Sequence, residues 1–199
     1  MQEPTRVLGH LRAIQTQELT LILSWRNAPN VRANMYTRHE ITLEEHLAWW
    51  EKIRPREDQV YRIYEHQGRP LGVVAFNGID RIHRNSSWAF YSSPEAPRGT
   101  GGRMEFLALD YAFDVIGLHK LNCDVLAFNQ PVIRLHEKFG FKLEGHFREQ
   151  HMGENQFVDI YRLGILAREW QNTRQAMLAR VIQKLNRRIT NNEYRNHNC

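Results

Sequence analysis

Apolar residues alternate with polar ones along several short runs of this chain and recur at helical spacing along others. Residues 7–14, with Val7, Leu8, Leu11 and Ile14, predict a first strand, and residues 18–26 a helix that Ala28-Pro29-Asn30 ends. Thr42-Leu43-Glu44-Glu45 reads as a capping box and opens a helix over residues 43–53, halted before Pro55. On that helix Leu43, Leu47 and Trp50 form a stripe read as core, while His46 and Trp49 share another face. Residues 60–65 and 71–77 predict strands joined by the hairpin turn His66-Gln67-Gly68-Arg69-Pro70. A strand over 87–92, a helix over 104–115, a strand over 121–128 and a helix over 131–139 follow, the last with Pro131 in its first turn. Residues 141–150 and 157–166 close the series as strands around Met152-Gly153-Glu154-Asn155. The order is β-α-α-β-β-β-α-β-α-β-β, with no internal repeat or low-complexity segment.

A chain of 199 residues fits one domain with room for an appendage and is long enough to bury a core. It has no run of eighteen apolar residues and no apolar segment of signal-peptide type at its start, so cytoplasm is the default and no stable membrane association is expected. Cys123, in an apolar segment, reads as a small core residue, and Cys199 ends a polar tail. Neither neighbours a His/Cys cluster of metal-ligand spacing, and no metal is expected.

Charge divides the chain more sharply than composition does. Residues 171–199 hold six Lys/Arg against the single acid Glu193, a net of +5, which is the net of the whole chain. Residues 1–170 are therefore neutral and form the expected main domain, and 171–199 a basic amphipathic helix or tail. A neutral body argues against a nucleic-acid partner, whose contacts spread basic residues over a binding face. In the tail Leu178, Val181, Ile182, Leu185 and Ile189 recur at helical spacing, with Arg180, Lys184, Arg187 and Arg188 outside that stripe. Packing on the body or on a homodimer partner is the leading reading, and contact with an anionic membrane or nucleic acid the minor one.

Arg98-Gly99-Thr100-Gly101-Gly102-Arg103 stands between a strand and a helix. Glycines there let backbone N–H groups crowd an anion, and the helix N-terminus adds partial positive charge. Alone, such a loop is more often a tight turn. Further on come Asn129 and the run Leu135-His136-Glu137-Lys138-Phe139-Gly140-Phe141. Together the two pieces resemble the acyl-CoA N-acyltransferases of the GNAT superfamily, over residues 6–170.

That resemblance implies an α/β (α+β) mixed sheet, mostly antiparallel, splayed at one parallel strand pair and flanked by helices. It implies acetyl-CoA as co-substrate and direct attack in a ternary complex. Arg98, Gly99, Thr100, Gly101, Gly102, Arg103 and Met104 then take the CoA pyrophosphate. Phe90, Tyr91 and Ser92 bond the pantetheine through their backbone, and Asn129 the CoA arm. By itself Asn129 also reads as a helix cap, and the two roles can coexist. The chain departs from the family twice. Arg103 replaces a usual Gly or Ala, free either to reach a phosphate or to lie on the surface. His136 replaces the tyrosine that protonates the departing thiolate. Imidazole with an ordinary pKa of about 6.5 is only about one-quarter charged at pH 7, so the alkaline limb of activity is expected there unless a neighbour such as Glu137 raises it.

Ser24-Trp25-Arg26-Asn27, Val31-Arg32-Ala33-Asn34-Met35-Tyr36, the helix carrying Glu45-His46-Leu47-Ala48-Trp49-Trp50 and the closing residues 159–170 are similar to one GNAT subfamily. Its members acetylate the 4-amine of a UDP-linked 4-amino-4,6-dideoxy-N-acetyl-altrosamine in pseudaminic acid synthesis, which feeds bacterial flagellin glycosylation. A UDP-amino-sugar is the substrate so implied. Arg26 and Arg32 suit its diphosphate, because guanidinium bonds phosphate oxygens in pairs. His46, Trp49 and Asn77 are further candidate acceptor contacts, with core-edge packing the other reading of His46 and Trp49. No carboxylate or histidine announces itself as the base, and Tyr91 or Asn77 is a candidate to orient a water in that role. A protein or ribosomal-protein amine as acceptor is one alternative and asks for an open acidic groove. A non-catalytic acyl-CoA sensor or nucleic-acid adaptor is the other.

Overall fold

In a computed structural model, which describes residues 3–196 and the side chains of 5–187, the alternating runs join into a single seven-stranded sheet of order β1-β2-β3-β4-β5-β7-β6. The strands are β1 (His10–Ala13), β2 (Gln59–His66), β3 (Arg69–Asp80), β4 (Asn85–Ser92), β5 (Lys120–Leu126), β6 (Lys142–Met152) and β7 (Phe157–Leu166). Every neighbouring pair is antiparallel except β4 and β5. Gln67 and Gly68, with φ of 53° and 71°, make the two-residue turn between β2 and β3. Both residues at positive φ is the geometry whose twist matches a hairpin.

Helices cover both faces. Along β3 the side chains alternate, Val74 and Phe76 entering one core and Val73 the other. The larger core holds α4 (Thr100–Asp110), α5 (Gln130–Lys138) and the start of α6 (Ala167–Asn196), with Phe106, Leu109 and Trp170 fully buried. On the opposite face α1 (Leu19–Asn27), α2 (Pro29–Arg32) and α3 (Leu43–Ile53) sit over β2–β4, where Ile22 and Trp25 meet Ile63 and Val73. β6, at the sheet edge, exposes Leu143, Phe147 and Met152.

Several boundaries differ from expectation for identifiable reasons. The first predicted strand is a 3₁₀ turn (Glu3–Leu8) and the short β1, parted by Gly9 at φ +95°. A Cβ at Gly9 would lie 2.4 Å from the Glu65 carbonyl, so the chain there passes too close to β2 for any other residue. Pro29 does not simply end α1; it starts α2, its missing N–H costing nothing in a first turn. The helix expected from 104 begins at Thr100 and finishes in a π turn (Tyr111–Val115). The capping box of α3 forms in both directions, Thr42 N–H donating to Glu45 Oε2 at 2.7 Å and Glu45 N–H to Thr42 Oγ1 at 3.1 Å. Its buried side, however, is His46 and Ile53. Leu43 and Leu47, read as core, are exposed, because the helix turns its His46–Trp49 face to the sheet.

The helix α6 runs through the tail as far as Asn196. Leu178 is buried and Val181 and Ile182 pack on the larger core, so this part of the stripe rests on the body of its own chain. Cys199, and the side chains of Arg188, Ile189, Glu193 and Arg195, lie outside the described residues.

Candidate functional site

Three residue pairs join β4 to β5: Asn85 with Lys120, Ser86 with Leu121, and Ser87 with Asn122. The Asn122 side-chain amide donates to the Ser86 carbonyl at 3.0 Å and pins the junction. Beyond it the strands part. β4 keeps its ladder to β3 as far as Ser92, and β5 keeps its own to β7 as far as Leu126. Residues 88–92 thus have no strand partner on their β5 side. A cavity of about 330 Å³ opens in this wedge, lined among others by Phe90, Tyr91, Ser92, Cys123, Asn129 and His136. Asn129 is the N-cap residue of α5 but its side chain makes no cap hydrogen bond, which leaves its amide for the cavity it lines.

His136 closes the floor. Trp88 meets its ring edge-on at 5.4 Å, and its Nδ1 lies 2.8 Å from Glu105 Oε1, both side chains being almost wholly buried. Burial opposes the imidazolium, but the Glu105 charge, with hydrogen bonds to Cys123 and to Glu105, outweighs it and raises the ring to about 10. Burial also pushes the Glu105 carboxyl up, His136 pulling against it. The carboxylate that acts on His136 is Glu105 of α4, not its neighbour Glu137. The pair was legible in part: Glu105 is the one charge inside the apolar run Met104-Glu105-Phe106-Leu107-Ala108-Leu109.

The glycine-rich loop forms the first turn of α4, with Gly99 as N-cap at φ +89°. Gly101 and Gly102 stand where an α-helix offers amides no carbonyl partner. A Cβ at Gly101 would already touch Leu135 at 3.4 Å and Phe90 at 3.6 Å, so side chains close in on the space over this turn. Bare amides, a helix N-terminus and a crowded approach fit a pyrophosphate. Three residues of the expected cradle do other work. Arg103 neither reaches out nor lies on the surface: it is buried, its Nε donating to Tyr64 Oη at 2.8 Å and its Nη2 to Thr100 Oγ1 at 3.0 Å. Thr100 Oγ1 is further committed to the Pro97 carbonyl at 2.7 Å. Met104 is a core side chain with no exposed surface. Arg98 is exposed at the start of the turn.

A second cavity of about 380 Å³ lies between α3 and the sheet and shares Met35, Ala89 and Tyr91 with the wedge. Arg26, His46, Trp49 and Asn77 line it. Trp49 stacks on His46 at 5.1 Å and meets Tyr61 edge-on at 5.1 Å. Burial pulls the His46 pKa down, with a hydrogen bond to the Leu19 backbone opposing, and Nε2 has no hydrogen-bond partner. Burial holds the Tyr91 phenol well above its ordinary value. Asn77 Oδ1 accepts from Tyr61 Oη at 2.9 Å. Arg26 donates through Nη2 to the Thr37 carbonyl at 3.2 Å, and its buried Nη1 has no partner. Arg32 is not brought to either cavity; it turns toward Glu40 at 3.8 Å. Arg38, which sequence reasoning passed over, has a buried Nε without a partner, but it lines neither cavity and its Nη1 faces Glu154 at 3.8 Å.

The carboxylates that line these cavities are taken. Asp124 is bonded through both oxygens to Arg162, at 2.8 and 2.7 Å, and Glu45 caps α3 and faces His39 at 3.4 Å. Among the described residues no cluster of three or more His, Cys, Asp or Glu is placed to hold a metal ion, and no helix is long and apolar enough to cross a membrane.

Comparison with known proteins agrees with this geometry. Spermidine N(1)-acetyltransferase of Vibrio cholerae is 26% identical over 164 residues, spanning 81% of this chain and 95% of the relative. Its crystal structure in complex with CoA and spermine superposes with a TM-score of 0.76, covering 81% of this chain and 96% of that one, and a dodecameric form of that enzyme with 0.71. Acetyltransferase PseH of Campylobacter jejuni is 25% identical over 136 residues, 68% of this chain and 84% of the relative. Residues 10–142 match the model of the acetyltransferase (GNAT) domain. With a sheet splayed at its one parallel pair and a glycine turn beside the opening, the chain belongs to the GNAT family and is an acetyl-CoA-dependent N-acetyltransferase.

Proposed function

We propose that the acceptor is an anionic amine, the 4-amino group of a UDP-linked 4-amino-4,6-dideoxy sugar of the pseudaminic acid type. The observation that carries this is the charge of the acceptor cavities. Arg26 lines one with a buried guanidinium nitrogen unpaired, while Asp124 and Glu45 are already engaged. Unpaired buried donors of this kind are costly until an acceptor meets them. A diphosphate supplies such acceptors. A polyamine would bring more cations to a site whose carboxylates are taken.

In this reading the pyrophosphate of acetyl-CoA rests on the first-turn amides of α4, and pantetheine amides pair with residues 88–92. Asn129 steadies the arm, and the amine enters from the α3 side past Tyr91. Its lone pair attacks the thioester carbonyl, and the C–S bond breaks with its electrons passing to sulfur. Neutral His46, its Nδ1 proton held by Leu19, takes the proton that the amine loses. His136 gives a proton to the thiolate. Tyr91, kept protonated by burial, orients the acceptor, and Asn77 and Trp49 shape its pocket. We place the reaction in the cytoplasm, and self-association on the apolar edge formed by Leu143, Phe147 and Met152 of β6.

A thiol-release assay with acetyl-CoA tests the acceptor against a panel of UDP-amino-sugars, spermidine and peptides. Turnover of the 4-amino sugar nucleotide above the others is the expected result. Preference for spermidine, the substrate for which the Vibrio cholerae relative is named, would overturn the assignment and leave the catalytic frame standing.

A further inference from the structure

The basic helix α6 begins after the matched domain ends, yet it reaches back to the glycine turn. Met177, Arg180, Val181, Lys184 and Leu185 repeat at the spacing that puts residues on one helix face. That face, with Gly99 and Gly102 of the turn and Leu135, Lys138 and Phe139 around the end of α5, encloses a cavity of about 370 Å³. Its floor is apolar, Met177 and Phe139 being buried. Three cations rim it: Arg180, Lys184 and Lys138, all exposed. Among the described residues none of the three has an ion pair or hydrogen bond. Nearer the helix start Arg174 is paired instead, its Nε and Nη2 each donating to Asp110 at 2.7 Å.

An apolar floor, three unmatched cations and a helix N-terminus suit a ligand with a flat ring and several phosphates. The pantetheine arm of acetyl-CoA leaves the glycine turn toward the wedge, so the adenosine end must leave on the other side, and this cavity adjoins Gly99 and Gly102. We propose that α6 completes the cofactor site: Arg180 and Lys184, with Lys138 of α5, receive the 3′-phosphate of the adenosine while the apolar floor takes its base. This rests on the placement of the pyrophosphate at the glycine turn. The tail is then a selective grip on CoA rather than only a brace on the body.

Calorimetric titration of the full chain with CoA and with 3′-dephospho-CoA separates the contributions. The wild type should prefer CoA by about tenfold or more, the scale of a charge-assisted phosphate contact. The Arg180→Gln, Lys184→Gln variant changes two exposed positions, and circular dichroism checks that it keeps its fold. It should bind 3′-dephospho-CoA as the wild type does and lose most of the preference for CoA. Equal losses for both ligands, or a preference left intact, would overturn the proposal. So would a wild type that binds both equally, leaving the glycine turn as the pyrophosphate site. A wild type that binds neither would remove the glycine-turn reading itself, and this proposal with it.

Discussion

Nδ1 of His136 lies 2.8 Å from Oε1 of Glu105, which ties α5 to α4 beneath the open wedge of the sheet. A histidine so placed keeps its proton where an ordinary one has lost it. In the proposed mechanism donation needs the protonated ring, so activity is expected to persist as pH rises and to decline through the ring's own raised pKa, about 10. At saturating substrates kcat should therefore hold across the range where free histidine titrates. Glu105→Gln removes the opposing charge and leaves burial, which pushes the ring down, so its alkaline limb should move to much lower pH. His136→Phe should lower kcat by about 10²–10⁴-fold, the usual share of a general acid, with little change in acetyl-CoA binding. Normal kcat in the Phe variant would show that the ring only packs.

His46 works in the other direction. Burial favours its neutral form, so as the proposed base it is ready at neutral pH, and the acid limb of kcat/KM should lie below the ordinary histidine value. His46→Gln keeps a polar side chain of similar reach but cannot take the proton. A drop in kcat of about 10²-fold or more is expected. Retention of wild-type kcat with only a raised acceptor KM would make His46 a contact and not a base.

Gly101→Val tests the cradle. Even a Cβ there meets Leu135 at 3.4 Å, and the branched side chain must go toward the space over the turn. Acetyl-CoA affinity should fall markedly while circular dichroism stays unchanged. Undiminished calorimetric binding would reduce the loop to a turn.

The arginines should separate. Arg26→Ala removes a guanidinium that lines the cavity between α3 and the sheet, the proposed acceptor site, and should raise the acceptor KM by about tenfold or more, with that for acetyl-CoA little changed. Arg32→Ala, facing Glu40 at the surface, should have a small effect, since exposed pairs contribute little. Equal responses from the two variants would contradict this placement.

The strands were legible because alternation survives wherever one face is buried, and α3 because Thr42 and Glu45 state its start. Which face of α3 points inward was not. Leu43 and Leu47 have the apolar chemistry of a core, and the inward position of His46 depends on the Leu19 backbone and on Trp49, which stacks on it and meets Tyr61. The glycine turn and His136 were visible as motifs, but their partners were not. Arg103 is bonded to Tyr64 across 39 residues, and Glu105 meets His136 across 31. Such long-range pairings decide protonation and reach, and they leave only faint traces in local pattern, like one acid in an apolar helix.

A seven-stranded sheet whose central ladder stops after three pairs has a seam through its middle. Pantetheine carries two amides of its own, and in the proposed pose it bridges that seam as a stand-in strand and becomes part of the architecture it reacts in. Ligation and folding are then coupled by mass action. Backbone amides of residues 88–92 should exchange hydrogen more slowly once CoA is present, and the melting temperature should climb with its concentration. In that pose the resting enzyme carries, in its most central strand, a built-in gauge of cofactor supply.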